Sequence, residues 1–535
     1  MKCLGMPAAA FAAAAMSLGA VPGAAGASGG GHRAVAPPMR LPAVGAPVRA
    51  AATGGGWLVG ARPTARSRRV ATAMGARALR ADGVFAVAPE RAPALAAALR
   101  RRGLLSYAEP DVALRPMSAP DGAPTAWARG AVVAPTLAAP APGAASIAVI
   151  DDFVDPSVAD VAAQTRYLTP FTGVVHDPHG TEVASVAAGA ANGTGVLGIF
   201  PGAPILSYHP AKLTCSAISN GILAAAAAHA RVINISIGGS VPCFTMQQAI
   251  AVAYAEGSLV VAAAGNDGDA GDPLIFPAAF PHVLSVASVN TALAPSAFSE
   301  SNAAIDLAAP GEQVPVALPV RFDTEDGAAD GVTVADGTSF AAPIVSGAAA
   351  WVATVRPSLS VGQLADVLRF SATDLAPAGW DERTGFGLVT VGRALAEPTP
   401  REDALEPNDD IAYVDGRVFT RAAPLVWRGG RRLVLKAGVD AAEDPADVYR
   451  VRLPARSAAR IALKPAFGRP ALRVFSTAGR TVYGRRGRIA TGSGRSEQRV
   501  VVANRRRRAA VVYVAVLGTG RGSINSDYRL AVARA

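Results

Sequence analysis

The sequence predicts an α/β protein whose central region is a three-layer sandwich with a mainly parallel sheet. Four short runs are nearly continuous in apolar residues, as strands buried on both faces of a parallel sheet are: Ile147–Ile150, Val232–Ser236, Leu259–Ala264 and Val283–Val289. Ala-rich stretches with helical periodicity lie between or after these runs, at 181–188, 218–230, 246–256 and 339–355. Alternation of this kind places helices on both faces of the sheet.

The composition is that of a globular protein with more than one domain. Hydrophobic residues make up 51% of the 535 residues and charged residues only 17%, so large cores and two or three domains are expected. The formal charge is +11, with much of the excess beyond Arg401. This charge permits contact with anionic surfaces. No aromatic interleaving or motif indicates a nucleic-acid partner.

The N-terminus has the pattern of an export signal, which we place at residues 1–27. A positive start at Lys2 precedes an apolar stretch from Ala8 to Ala20, and Ala25-Gly26-Ala27 matches an A-x-A cleavage site. We therefore expect a secreted protein, extracellular or associated with the cell surface.

Four polar residues stand where a serine hydrolase needs them. Ser339 lies in Gly337-Thr338-Ser339 at the start of an Ala-rich helix, and His179 opens His-Gly-Thr-Glu. Asp151 and Asn266 each end an apolar strand. A serine, a histidine and a carboxylate are what nucleophilic attack on a carbonyl requires, and the amide of Asn266 can stabilise an oxyanion.

Two of these assignments have neighbours that could compete. Asp152 follows Asp151 directly and could be the working acid, although side chains alternate along a strand, so only one of the two can point to the histidine. His176 lies close to His179 but lacks the following Gly-Thr. We favour Asp151 and His179.

The chain order Asp, His, Ser resembles that of the subtilisin-like serine proteases. The resemblance covers roughly 146 to 395. It extends to Ser236-Ile237-Gly238-Gly239, to Phe276-Pro277-Ala278 and to the Ala-Pro-Gly loop ending at Gly311. It implies catalytic Asp151, His179 and Ser339, an oxyanion hole of Asn266 with the Ser339 N–H, and substrate contacts at Ser236, Gly238, Gly239 and Gly265.

The sequence also departs from the family pattern. Asp-Asp-Phe replaces Asp-Thr-Gly or Asp-Ser-Gly at residue 151, and Glu182 replaces a second histidine after His179. The interval between Asp151 and His179 is short, so loops that often hold calcium in the family are expected to be trimmed. No cofactor is required, no metal ligands are assigned, and a structural calcium ion has no supporting motif.

The region before the protease predicts a small α+β domain at 55–117. Strands are expected at 57–60, 83–87 and 105–111, with an amphipathic helix at 92–102. The pattern and the ending Tyr-Ala-Glu-Pro-Asp resemble an inhibitory propeptide, which would make the propeptide an intramolecular partner; an α+β domain of another kind is the alternative. Residues 118–145 are predicted as a linker with the maturation site, and 146–396 as the protease domain.

A second linker at 397–405 leads to a predicted β-sandwich at 406–535. Tyr449, Val451 and Leu453 fall on one face of a strand. Glu-Pro-Asn-Asp followed by Asp-Val-Tyr-Arg resembles the prepeptidase-type C-terminal domains of secreted proteases. Arg-rich runs such as 505–508 could contact an anionic surface, or they could be solvated loop charge.

Cys215 and Cys243 remain after removal of the signal, and in an exported protein they are candidates for a disulfide. Two buried thiols are the alternative.

The favoured function is a secreted serine endopeptidase, monomeric, made as an autoinhibited precursor and acting on proteins or peptides. A catalytically silent scaffold that binds surfaces through its basic domain is the competing hypothesis.

Overall fold

The computed structural model describes residues 53–116 and 127–535, except for 142, 144, 325–327, 376, 402, 404, 420, 441–443 and 519–524. The expected signal segment, residues 1–27, lies outside the described residues, as do residue 117 of the expected propeptide and the part of the expected maturation linker from 118 to 126.

The first described region is an antiparallel sheet with two helices, and we call it the N-terminal α+β domain. Its elements are β1 (Thr53–Ala61), α1 (Ala65–Ala73), β2 (Arg77–Ala78), β3 (Val84–Val87), α2 (Ala92–Arg101), β4 (Leu105–Val112) and the short β5 (Arg115–Pro116). The strand order is β2-β3-β1-β4. Val59, Phe85, Leu95 and Leu99 form its core. The expected strands and helix are present; α1, which begins with a capping box at Thr64, was not predicted.

The central region is built on a seven-stranded sheet in which every described strand pair is parallel. Its strands are β6 (Ile147–Ile150), β7 (Thr165–Tyr167), β8 (Ile205–Tyr208), β9 (Val232–Ile235), β11 (Leu259–Ala263), β12 (Val283–Val289) and β13 (Leu307–Pro310). Their order is β13-β12-β11-β9-β6-β8-β7. Shorter strands outside this sheet are β10 (Ile237–Gly238), β14 (Val314–Ala317) and β15 (Val332–Ala335).

Helices cover both faces of this sheet. They are α3 (Trp127–Val132), α4 (Ala159–Ala162), α5 (His179–Ala188), α6 (Cys215–Ala227), α7 (Phe244–Ala255), α8 (Thr338–Val355), α9 (Val361–Phe370) and α10 (Val391–Ala396). Successive residues of one strand enter different cores: Val149 packs with α5 and α8, whereas Ile150 packs with α6 and α7. This alternation produces the three layers. Helix α8 is long and apolar enough to cross a membrane, but it is buried in the core.

The last region is a two-sheet β structure that starts with α11 (Ile411–Val414). Its strands are β16 (Leu425–Trp427), β17 (Leu433–Asp440), β18 (Ala446–Leu453), β19 (Ser457–Pro465), β20 (Ala471–Ser476), β21 (Arg488–Thr491), β22 (Gln498–Asn504), β23 (Ala510–Leu517) and β24 (Asn525–Arg534). The sheets have the orders β16-β18-β23-β20-β21 and β17-β24-β19-β22. Tyr449, Val451 and Leu453 all lie in the core between them, as the alternating pattern predicts.

The structure differs from the expected linker at 118–145. Helix α3 lies inside that range, and its Ala128 and Val132 are buried in the same core as α8. Arg129 also donates a hydrogen bond to the carbonyl of Gly198. Ala and Pro around the helix resemble a linker in composition, yet Trp127 and Val132 supply enough apolar surface to dock it on the protease body.

Candidate active site

Asp151 and His179 meet at the carboxyl end of β6. Asp151 follows β6 and His179 begins α5, and the Asp151 Oδ1 lies 2.8 Å from the His179 Nδ1. Both side chains are buried. The residue after His179 must be glycine, because a Cβ at Gly180 would lie 2.1 Å from the carbonyl oxygen of Asp152. Because the start of α5 approaches the end of β6 so closely, the imidazole of His179 lies within hydrogen-bond distance of the Asp151 carboxylate.

Asp152 points elsewhere, so it is not the acid that contacts His179. Its Oδ1 lies 2.9 Å from the Nδ1 of His209, and its Oδ2 accepts a hydrogen bond from the backbone N–H of Asp177. The backbone N–H of Asp152 donates to the Asp151 Oδ1 at 2.8 Å. The alternation of side chains at a strand end thus separates two neighbouring aspartates into different pairs.

The electrostatics of the pair favour a charged imidazole. Burial opposes protonation, but the charge and hydrogen bond of Asp151 outweigh it and, together with Glu182 and Asp177, raise the pKa of His179 from 6.5 to about 9. The His179 Nε2 is buried and has no hydrogen-bond partner among the residues that the structure describes. It is the ring nitrogen that Asp151 does not contact, and so the one available for proton transfer.

Ser339 lies in the first turn of α8, beside the carboxyl end of β9. Its Oγ donates to the carbonyl oxygen of Ser236 at 3.2 Å, and the Ser236 Oγ donates to the carbonyl oxygen of Ser339 at 2.8 Å. The neighbouring Phe340 ring packs edge-on against the imidazole of His179, with 5.8 Å between ring centroids. The starts of α5 and α8 therefore adjoin each other, and Ser339 faces Ser236 in this state.

Asn266 is held by the residue that precedes the serine. The Thr338 N–H and Oγ1 donate to the Asn266 Oδ1 at 3.0 and 2.8 Å. Because an N–H can only donate, the atom facing it must be the amide oxygen, and the Asn266 amide nitrogen is directed away from Thr338. Gly265 has φ +116°, and a Cβ there would lie 2.5 Å from Ile275.

The predicted substrate edge is paired with the protein's own chain. Strand β10 forms antiparallel pairs with β5, matching Ile237 with Pro116 and Gly238 with Arg115. Leu114 donates its N–H to the carbonyl of Leu213 on the opposite side. Gly239 lies against Leu114, where a Cβ would approach the leucine side chain to 3.3 Å. The end of the N-terminal α+β domain thus pairs with this edge as an extended strand.

Cys215 and Cys243 form a disulfide. Cys215 begins α6 and Cys243 is the N-cap of α7, and both residues are buried. The bond therefore joins the N-terminal ends of the two helices that cover one face of the sheet.

Sequence reasoning missed two features of this site. Thr338 appears in the sequence only as part of the serine motif, but it orients Asn266 across 72 positions of the chain. The pairing of Asp152 with His209 is only weakly indicated by the sequence. The second aspartate, which is unusual at this position, suggests that its carboxylate has a partner, but only the fold shows that the partner is His209.

Similarity to known proteins agrees with this geometry. The family model described as the Subtilase family, Peptidase_S8, matches residues 143–387. Subtilisin DY of Bacillus licheniformis is 36% identical over 225 residues, which cover 40% of this chain and 77% of that protein. A subtilisin of Bacillus pumilus is 33% identical over 258 residues, which cover 46% of this chain and 90% of that protein.

Solved structures show the same fold over a larger part of the chain. Fervidolysin from Fervidobacterium pennivorans, described as a keratinolytic enzyme related to subtilisin, aligns with a TM-score of 0.56 at 18% identity, covering 84% of this chain and 85% of that chain. The epidermin leader peptide processing serine protease of Staphylococcus aureus aligns with a TM-score of 0.51 at 21% identity, and the alignment covers 64% of this chain and 98% of that chain. The extent of identity to the curated subtilisins favours an enzyme over a silent scaffold. The chain belongs to the subtilase family and is a subtilisin-like serine endopeptidase.

Proposed function

We propose that Ser339, His179 and Asp151 hydrolyse peptide bonds through an acyl-enzyme. The Ser339 Oγ attacks the scissile carbonyl carbon while the His179 Nε2 takes its proton, and the same nitrogen then delivers that proton to the leaving amine. A water molecule then attacks the ester carbon of the acyl-enzyme in the same way, with His179 taking its proton and returning it to the Ser339 Oγ, and the carboxylic acid product leaves. The bond between Asp151 and His179 carries the proposal, since it fixes the tautomer with Nε2 as acceptor once the ring is neutral.

The developing oxyanion would lie between two donors. One is the backbone N–H of Ser339 in the first turn of α8, where the helix dipole favours negative charge. The other is the side-chain amide of Asn266, directed by Thr338. Donors already oriented before the reaction stabilise the transition state without a cost of reorganisation.

Catalysis requires a rearrangement of the nucleophile from this state. The Ser339 Oγ, which donates to the carbonyl of Ser236 in this state, must give up that hydrogen bond and turn toward the His179 Nε2. Catalytic hydrogen bonds are often long or misaligned before substrate binds. We propose that a substrate carbonyl entering the site favours the rotated serine.

We further propose that this state is an autoinhibited precursor. Besides the pairing of β5 with the expected substrate edge, two carboxylates of the N-terminal α+β domain bind the N-terminal ends of protease helices. Glu109 accepts hydrogen bonds from the N–H groups of Phe244 and Thr245 at 2.9 and 2.8 Å, and Asp111 accepts one from the N–H of Ser216 at 2.8 Å. Both contacts suit the positive ends of helix dipoles.

Export, a monomeric state and a surface partner complete the proposal. The N-terminal pattern and the disulfide suit an oxidising extracellular setting. Residues 406–535 carry 26 Lys and Arg against 10 Asp and Glu. Their β structure has a concave surface with several cations and no carboxylate among its described lining residues: Lys464, Arg469, Arg473, Arg485, Arg488 and Arg495. This surface suits an anionic matrix, and salt-sensitive retention on sulfated agarose would test it.

The test of the catalytic proposal is a Ser339→Ala variant of the full chain. Both hydrolysis of a protein substrate and autoprocessing should disappear together, while Ser157→Ala, at an exposed serine, keeps both. Thermal unfolding of the two variants checks that each is folded. Undiminished processing by a folded Ser339→Ala protein would exclude Ser339 as the nucleophile.

A further inference from the structure

Three side chains of β4 face the protease body from every second position of the strand. Tyr107, Glu109 and Asp111 lie on one side, because side chains along a strand point to its two faces in turn. The Tyr107 hydroxyl lies 2.9 Å from the Thr245 Oγ1 and donates to the Gln248 Oε1 at 2.7 Å. The strand therefore crosses the start of α7.

The two carboxylates of this strand bind two different helices, each directly after a cysteine. Glu109 accepts hydrogen bonds from the two backbone N–H groups that follow Cys243 at the start of α7. Asp111 accepts one from the N–H that follows Cys215 at the start of α6, and the Ser216 hydroxyl donates a second. The disulfide thus joins the two helix ends that receive the strand.

The disulfide holds these helix ends at the repeat distance of a β-strand. The Cα atoms of its two cysteines are 6.3 Å apart, and residues two positions apart on a strand are separated by about 6.4–6.8 Å. Glu109 and Asp111 are such a pair. The Cys243 Sγ also lies 3.7 Å from the Glu109 Oε1, so the bond borders this carboxylate directly. The spacing of the donors matches the spacing of the acceptors.

Burial of these carboxylates depends on accurate placement of their donors. Glu109 is 4% exposed, and burial raises its pKa to about 7 although the N–H groups of Phe244 and Thr245 act to lower it. A buried carboxylate is costly unless its hydrogen bonds are complete. Two acceptors on one strand can bind two donor sites together only when the two separations agree. A change in the distance between the helix ends would therefore weaken both contacts.

The first turns of α6 and α7 are the parts of these helices that most need a cross-link. The chain enters them through the loops 209–213 and 240–242, whereas residues of both helix bodies are buried in one core. The N–H groups of a first turn have no partner within their own helix, so they are the groups available to a bound carboxylate. A covalent bond between the two first turns removes the freedom that the loops leave to them.

We propose that the disulfide between Cys215 and Cys243 is part of the surface that binds the N-terminal α+β domain. It fixes the distance between two helix ends so that Glu109 and Asp111 bind at the same time. The partner that this surface fits is an extended strand with carboxylates two residues apart. The inference rests on the proposed autoinhibited precursor, in which this docking keeps β5 at the substrate edge. The bond thus acts in inhibition as well as in the stability of the protease fold.

Docking can be measured on the full chain carrying Ser339→Ala, which prevents self-digestion. Hydrogen exchange followed by mass spectrometry reports docking at 113–115, where the Leu114 N–H donates to the carbonyl of Leu213 across the contact. The buried strand β9 of the protease body provides the internal reference. Exchange that rises at 113–115 while β9 stays protected shows loss of docking without unfolding of the protease.

Each half of the contact is then removed separately. Glu109→Gln should speed exchange at 113–115 about tenfold, the effect of losing one hydrogen bond to a charged group. The pair Cys215→Ala, Cys243→Ala should speed it by a similar factor while β9 stays protected. Glu90→Gln, at an exposed acidic residue of the same domain, is the matched control and should exchange like the parent.

Combining the changes tests whether the disulfide acts through the carboxylate. In the chain without the disulfide, Glu109→Gln should have little further effect, because the two-carboxylate contact is already weakened. If the alanine pair does not fold, the same comparison is made on folded chains before and after reduction of the disulfide with a dithiol.

Three results would overturn the proposal. The two changes may multiply their effects, as they would if the disulfide only stabilised the protease; loss of the disulfide may leave exchange at 113–115 unchanged; or β9 may lose protection as much as 113–115. None of these measurements uses hydrolysis. A chain with Ser339 that is active while 113–115 stays protected would contradict the proposed autoinhibition instead, and would leave the role of the disulfide in docking intact.

Discussion

At the residue scale, Thr338 connects the nucleophile to the oxyanion donor. Replacing Asn266 by Ala should lower kcat about 10²–10³-fold with little change in KM, the loss measured for the equivalent donor in a subtilisin. Thr338→Val removes the hydroxyl that donates to Asn266, and kcat should fall about tenfold, since one such hydrogen bond contributes about 1.4 kcal/mol. Thr338→Ser keeps a hydroxyl and should restore kcat. Steady-state kinetics on a peptide substrate provide the measurement. Full kcat in Asn266→Ala would remove this residue from the oxyanion hole.

The pH dependence of catalysis reports on His179. Catalysis needs the neutral ring, and because the pKa of His179 is raised to about 9, kcat/KM should climb as pH rises above 6.5 and level off only under alkaline conditions. Glu182→Gln keeps the triad and removes one source of the shift, so its acid limb should move to lower pH. If the acid limb of kcat/KM had its midpoint near pH 6.5 in the parent protein and did not move in Glu182→Gln, the raised pKa of His179 would be contradicted.

At the scale of elements, the disulfide fixes the N-terminal ends of α6 and α7. The bond spans 28 positions, for which loop-closure entropy predicts a stabilisation of about 3–4 kcal/mol. A double Cys215→Ala, Cys243→Ala variant should therefore unfold at clearly lower temperature. The parent treated with reductant should approach the same value. Equal unfolding temperatures of parent and double variant under oxidising conditions would argue against a stabilising bond.

The position of β5 and α3 predicts where maturation begins. The β5 strand pairs with the substrate edge up to Pro116, whereas α3 from Trp127 is packed on the protease body. The first bond cut should therefore lie shortly after Pro116 and before Trp127. Sequencing the N-terminus of the earliest processed product tests this, and a first product that begins beyond α3 would be inconsistent with the pairing.

At the scale of the whole molecule, the sequence predicts what depends on local pattern. Strands β6, β9, β11 and β12 lie in nearly continuous apolar runs, and the triad lies in short motifs. Strand β8, with Ser207 and Tyr208, lacks such a run, and β7 is short and polar. These strands are recognisable only by their parallel pairing in the sheet.

Features that depend on contacts between distant segments could not be derived in this way. The burial of α3 against α8 and the hydrogen bond from Thr338 to Asn266 each join residues far apart in the chain. The composition around α3 predicted an exposed linker instead of a buried helix, because Ala and Pro are common in linkers. Tertiary burial outweighed local propensity there.

The central claim is that one serine in this chain is the nucleophile activated by His179. A fluorophosphonate probe reacts with such a serine, and mass spectrometry locates the adduct in the processed protein. We predict a single modified residue, Ser339, with labelling lost in His179→Ala. An adduct on another serine, or an actively proteolytic protein that stays unlabelled, would contradict the account.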